Sequence, residues 1–150
     1  MTISFYHLNE PFGEFSNFAR FPIRLHGKTW PTSEHFFQAQ KFAGTPREEE
    51  VRQAKSPGEA ARLGRDRAHR LRTDWEAAKD DLMREAVRAK FSQYDELRAL
   101  LLSTGDEVLV EHTENDSYWG DGGDGSGKNM LGQILMSIRA KLRALVEVQE

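Results

Sequence analysis

The 150-residue chain has no cysteine, which excludes a disulfide framework and a thiolate zinc site and suits a reducing compartment. Long apolar runs are missing as well. No segment approaches the length that crosses a bilayer, and Met1-Thr2-Ile3-Ser4-Phe5-Tyr6 lacks the basic stretch and apolar core of a secretory leader. A soluble, cytoplasmic protein with no membrane partner is expected. Nor is there a basic excess: 21 Lys and Arg against 24 Asp and Glu leave a net charge of -3, unlike a general nucleic-acid coat. The histidines at 7, 26, 35, 69 and 112 show no paired helical spacing, so no metal site is expected. No serine sits in a G-x-S-x-G elbow, and no internal period marks a repeat protein.

What is present suffices for one core. With 38% hydrophobic and 10% aromatic residues, one domain over residues 1–150 is expected. Ile3 to Leu8 and Phe21 to Trp30 read as short strands, with His26-Gly27 as a turn. Helices follow. Ser56-Pro57-Gly58-Glu59 and Thr73-Asp74-Trp75-Glu76 are capping boxes, the second opening a helix to Phe91. Leu97, Leu100 and Leu101 mark a shorter helix stopped by Gly105. Val108-Leu109-Val110 reads as buried strand or extended connector, with helix open as an alternative. Asn129 stands where it can cap a final helix whose apolar stripe is Leu131, Ile134, Leu135, Ile138, Leu142 and Leu145.

The most informative stretch is Trp30 to Lys41. A helix begun near Thr32 puts Glu34, Gln38 and Lys41 on one face, within an arc of roughly 60° at about 100° per residue. Phe36, Ala39 and Ala43 point away toward a core. A carboxylate and an amine on one aromatic-flanked face suit acid/base or nucleophilic work, and equally a solvated helix side with ordinary charges. Arg62, Arg65, Arg67, Arg70 and Arg72 crowd together after the acidic run Glu48-Glu49-Glu50, either as solvated ion pairs or as a contact for substrate phosphate.

The segment from Glu114 to Lys128 has five glycines and three aspartates, which oppose a regular ladder, and so long a loop in a small domain usually has work to do. Gly122, Gly127, Lys128 and Asn129 come within one residue of the phosphate-cradling pattern G-x-x-x-x-G-K-[ST]. Asparagine replaces the magnesium-binding hydroxyl and Asp124 would repel phosphate, so a nucleotide triphosphatase is refused. A weaker role survives, in which loop amides and the start of the helix bind one phosphate or the edge of a ribose or base. Trp119, between Tyr118 and Gly120, is placed to stack on a ring or ribose. Trp75, on the apolar side of its helix, reads as core.

Four segments together resemble the YbiA-like proteins, also called the NADAR family: Phe15-Ser16-Asn17-Phe18, Trp30 to Phe42, Ala60-Ala61-Arg62-Leu63-Gly64-Arg65 and Glu111 to Gly123. The resemblance implies a mainly α-helical single domain with a few short N-terminal strands. It implies an N-glycosidase that cleaves between a nitrogen and the anomeric carbon of a ribose, with no cofactor. Two substrate groups are implied: phosphorylated ribosylamine intermediates of early riboflavin biosynthesis, nearer by motif, and ADP-ribose on guanine in a nucleoside or nucleic acid. A non-catalytic module that holds ADP-ribose or a nucleotide is the alternative from another class. By resemblance Glu34 and Lys41 are the catalytic positions. By the same resemblance Asn17, Phe18, Trp75, Asp116, Trp119, Gly120 and Asn129 are expected to bind substrate, and Gln38 on the shared helix face and Arg65 in the arginine cluster are expected to bind it with them.

Overall fold

The computed structural model describes residues 1–149. In chain order the elements are β1 (Thr2–Phe5), a 3-10 turn (Gly13–Phe15), β2 (Ile23–Leu25), β3 (Lys28–Trp30), α1 (Ser33–Gln40), α2 (Pro46–Arg52), α3 (Pro57–Arg65), α4 (Trp75–Gln93), α5 (Asp95–Ser103), β4 (Val108–Glu111) and α6 (Met130–Gln149). The chain is mainly α-helical with short strands, as expected, although β4 lies late in the chain. By internal contacts it forms two compact units, Asn17–Lys90 and the remainder.

In the first of these units, β2 and β3 pair antiparallel about His26-Gly27. Both turn residues have positive φ, 54° and 74°, as a two-residue hairpin turn with the native twist demands. Trp30 closes the hairpin by donating from its indole to the Leu25 carbonyl at 2.9 Å. It meets Phe36 of α1 edge-on at 5.2 Å, and both rings are fully buried.

Thr32 caps α1 by accepting from the His35 amide at 3.1 Å. His35 then completes the lock: its Nε2 lies 3.0 Å from the Ala54 carbonyl and its Nδ1 2.8 Å from the Thr32 hydroxyl. A carbonyl can only accept, so Nε2 carries the proton and Nδ1 accepts from the hydroxyl. Burial lowers the pKa of the ring and so favours this neutral form. All eight residues of α1 are buried, because the helix packs against both α2 and α3. The solvated-side alternative for Glu34, Gln38 and Lys41 is therefore overturned. Ala43 is exposed instead of core, since α1 ends at Gln40 and tightens into i→i+3 bonds at Lys41, Phe42 and Ala43.

Helix α2 was not anticipated from the sequence, though Thr45-Pro46 carries the proline-at-N1 signal. Ser56 does cap α3, accepting from the Glu59 amide at 3.1 Å, while the Glu59 carboxylate turns to Arg62 instead of closing the box. The Thr73 box is not used. The Asp74 carboxylate binds Arg72 and α4 begins one residue later, at Trp75.

In the second unit β1 pairs in parallel with β4, Ile3 opposite Leu109. Leu131, Ile134, Leu135, Ile138 and Leu142 are buried along α6, but Leu145 is 60% exposed, so the core stripe stops one turn early. Gly132 lets α6 lie directly on β4: a Cβ there would stand 2.1 Å from the Leu109 carbonyl oxygen. Asn129 precedes α6 and its carbonyl accepts from Gln133. Its side chain does not cap, because the amide is taken by β4, accepting from the Glu111 amide at 3.0 Å and donating to the Leu109 carbonyl at 2.9 Å.

Burial lowers the pKa of His35 from its ordinary 6.5. The unfolded ring therefore takes a proton that the folded ring refuses, so this contribution to stability is present above about pH 6.5 and lost as pH falls below it. Between about pH 7.5 and pH 5.5 the native protein should lose more melting temperature than His35→Gln, which cannot titrate there. Equal losses in thermal denaturation would remove His35 from the acid sensitivity.

Candidate active site

Helix α1 lays out a line of three polar groups. Gln38 Nε2 donates to Glu34 Oε2 at 3.0 Å, and Lys41 follows as the C-cap residue, still in helical geometry. The three residues are 9%, 8% and 8% exposed, so solvent only weakly damps the fields between them. Lys41 Nζ donates to the Gly64 carbonyl at 3.4 Å and stands 5.8 Å from the centre of the Trp75 ring. Its pKa falls from 10.5 to about 8: burial is the main cause, Arg67 and Arg65 push the same way, and Glu34 opposes them. A buried amine that is partly neutral near physiological pH can act as nucleophile or as acid.

Asn17 anchors the start of this helix. Its carbonyl accepts from the Glu34 amide at 3.2 Å, its Oδ1 accepts from Ser33 Oγ at 2.8 Å, and its Nδ2 points to Met83 Sδ. Trp75 is 7% exposed and packs on Phe37 at 5.1 Å, so it is both core and the wall behind the lysine. Phe18 and Arg65 are exposed. Gly64 was singled out only within its motif, yet it decides the local geometry: a Cβ there would lie 1.9 Å from Gln38 Oε1. A glycine inside a helix, costing about 1 kcal/mol against alanine, was the available signal for such a close approach.

Asp116, Trp119, Gly120 and Asn129 belong to the other unit, in the loop before α6. Asp116 Oδ1 accepts from the amides of Tyr118 and Trp119 at 2.9 and 2.8 Å, which sets the path of the tryptophan. Trp119 is half-buried, its ring edge-on to Tyr118 at 4.8 Å. Gly120 has no room for a Cβ, which would fall 2.8 Å from the Glu111 carbonyl oxygen. Asp121, which the sequence did not single out, holds the turn through the Thr113 and Gly123 amides. It also accepts from His112 Nδ1 at 2.7 Å, a hydrogen bond that raises the pKa of His112. The phosphate-cradle reading is overturned. The amides of Gly127, Lys128, Asn129, Met130 and Leu131 already donate to loop carbonyls from Ser117 to Asp121, so they are not free for an anion.

The pattern of the NADAR domain covers residues 4–143. The chain belongs to the NADAR domain family. It is 59% identical over 140 residues to N-glycosidase YbiA of Escherichia coli, covering 93% of this chain and 88% of that protein. An N-glycosidase of Nostoc punctiforme is 44% identical over 99% of this chain and 97% of its own length. A chloroplastic riboflavin biosynthesis protein of Zea mays is 43% identical over 96% of this chain, which corresponds to 26% of the maize protein. The NMR structure of the E. coli protein YbiA superposes with a TM-score of 0.90 at 56% identity, covering 99% of this chain and 88% of that one.

Glu34 is the group that holds the Lys41 pKa up against burial. NMR titration of the Lys41 side chain should give a midpoint near 8 in the native protein, and a lower one in Glu34→Gln. A native midpoint near 10.5, or no change on substitution, would refute this electrostatic arrangement.

Proposed function

We propose that the protein is an N-glycosidase that hydrolyses the bond between the anomeric carbon and nitrogen of phosphorylated ribosylamines of the kind formed early in riboflavin biosynthesis. That it is an enzyme acting on N-glycosyl bonds follows from its kinship with named N-glycosidases. The narrower substrate is supported by riboflavin-named relatives in Zea mays and Vibrio vulnificus. The observation that carries the chemistry is the buried Glu34–Gln38–Lys41 line with its lowered amine. A module that only held a nucleotide would have no use for it.

Hydrolysis adds water to the anomeric carbon, breaks the bond to nitrogen and delivers a proton to the departing base. The Glu34 carboxylate, in the first turn of α1 where the helix dipole favours negative charge, stabilises the positive charge that develops at the anomeric carbon and takes the proton of the attacking water. Charged Lys41 supplies the proton to nitrogen. With a pKa of about 8, roughly a tenth of the amine is neutral near neutral pH. That fraction offers a second route: Nζ adds to the anomeric carbon of the ring-opened imine of the ribosylamine, its two protons pass to the departing nitrogen, which leaves as the free amine, and water hydrolyses the lysine Schiff base to release the ribose aldehyde.

The deciding experiment incubates purified protein with the ribosylaminopyrimidine phosphate, NAD, ADP-ribose and ADP-ribosylated guanosine, following released base by mass. Base is expected from the first. Release only from ADP-ribosylated guanosine would replace the substrate assignment, and release from none would leave a binding module. Glu34→Gln should fold normally and lose turnover by on the order of a hundredfold or more; retention within a few-fold removes Glu34 from the mechanism. Trp119→Ala should weaken substrate binding by about 1 to 3 kcal/mol if the indole stacks on substrate. A large fall in its melting temperature without substrate would instead identify a packing residue.

A further inference from the structure

The Gln38 side chain carries a conflict that its surroundings impose. Its Nε2 is bound to Glu34, while its Oε1 is buried and, among the described residues, receives no hydrogen bond. Burying an acceptor without a donor is costly. Turning the amide over would offer hydrogens in its place, but would set the carbonyl oxygen against Glu34 Oε2 at the present 3.0 Å. That exchange is unfavourable only while Glu34 is ionised, because a hydrogen bond to a charged acceptor is roughly twice as strong as one between neutral groups. The donated hydrogen bond suits an ionised carboxylate, which accepts it more strongly than a neutral carboxyl would.

The position of the amide is set from α3. A Cβ on residue 64 would lie 1.9 Å from Gln38 Oε1, 2.8 Å from its Cδ and 3.2 Å from its Cβ. All three nearest atoms belong to Gln38, so a side chain at this place acts on the site through that residue. We infer that Gly64 and Gln38 are a positioning pair: the absent side chain on α3 seats the Gln38 carboxamide, which aims the Glu34 carboxylate and holds it ionised. Lys41, itself acted on by Arg65 and Arg67, is a charged neighbour of this carboxylate, and the amide adds a directional bond to its field. Catalytic use of the carboxylate rests on the N-glycosidase reading; the positioning itself is readable in the free protein.

The test uses Gln38→Met, which keeps length and removes the donor. The Glu34 carboxyl titration, followed by carbon NMR without substrate, should move up by about one unit or more relative to native protein. With the ribosylaminopyrimidine phosphate, kcat should fall by on the order of tenfold with KM within a factor of two. The acid limb of the kcat profile should shift upward with the titration. Gly64→Ala should move both readouts in the same direction, and should add much less in a Gln38→Ala background, where the Oε1 and Cδ contacts are gone and only the Cβ contact at 3.2 Å is left. Should Gly64→Ala fail to fold, Gln38→Met and Gln38→Ala carry the decision. A Glu34 midpoint unchanged in Gln38→Met overturns the inference whatever the activity. A shifted midpoint in a protein that hydrolyses none of the compounds sustains the positioning pair and defeats the functional reading instead.

Discussion

Everything in the Asn17–Lys90 unit turns on burying a helix that is mostly polar. Ser33, Glu34, His35, Gln38 and Gln40 lie on α1, with Lys41 at its end, and all are buried. Enclosing such groups between α2 and α3 is costly unless they find partners, and all but the Gln38 Oε1 atom among these side chains do so. Thr32 and Ala54 satisfy His35, Asn17 takes Ser33 and the Glu34 amide, Gln40 reaches Glu48, and Lys41 reaches the Gly64 carbonyl. The hydrogen-bonding demands of one helix thus dictate what its cap residue, the Asn17 loop, the α2–α3 connection and two neighbouring helices must present.

The same burial produces the chemistry. A lysine on an exposed helix would keep an ordinary pKa; desolvation brings this one toward neutrality, and the carboxylate two turns earlier keeps it from falling further. Stability and reactivity are opposed at this point, as is common where a site stores unfavourable interactions. The glycine of α3, poor for the helix by itself, is accepted because the close approach of α1 needs it.

The other unit solves a different problem with similar means. Its loop has too many glycines and aspartates for a ladder, so Asp116 and Asp121 serve as internal acceptors. Loop carbonyls take up the first amides of α6. Asn129 pins the end of the loop to β4, and Gly132 lets the helix settle on that strand. The half-buried Trp119 is carried on a scaffold of backbone hydrogen bonds braced by the Asp116, Asp121 and Asn129 side chains.

Local signals told the truth where local physics decides. Ser56 with Pro57, the His26-Gly27 turn, Gly105 after α5 and the apolar spacing of α6 each depend on a few neighbouring residues, and each was legible in the sequence. The ordering of the motifs likewise pointed to the family, and periodicity alone put Glu34, Gln38 and Lys41 on one face. Whether that face met water was beyond periodicity, because a polar helix reads the same whether solvated or enclosed. Only the packing of α2 and α3 around α1 decided that, and with it the lysine's lowered pKa. The structural duties of Asn129 and Asp116, and the meaning of Gly64, also required contacts distant in sequence. The chain by itself determined which groups were available and how they were spaced; the tertiary structure decided which were dehydrated and which were already bonded, because desolvation and hydrogen-bond satisfaction depend on neighbours that spacing does not name.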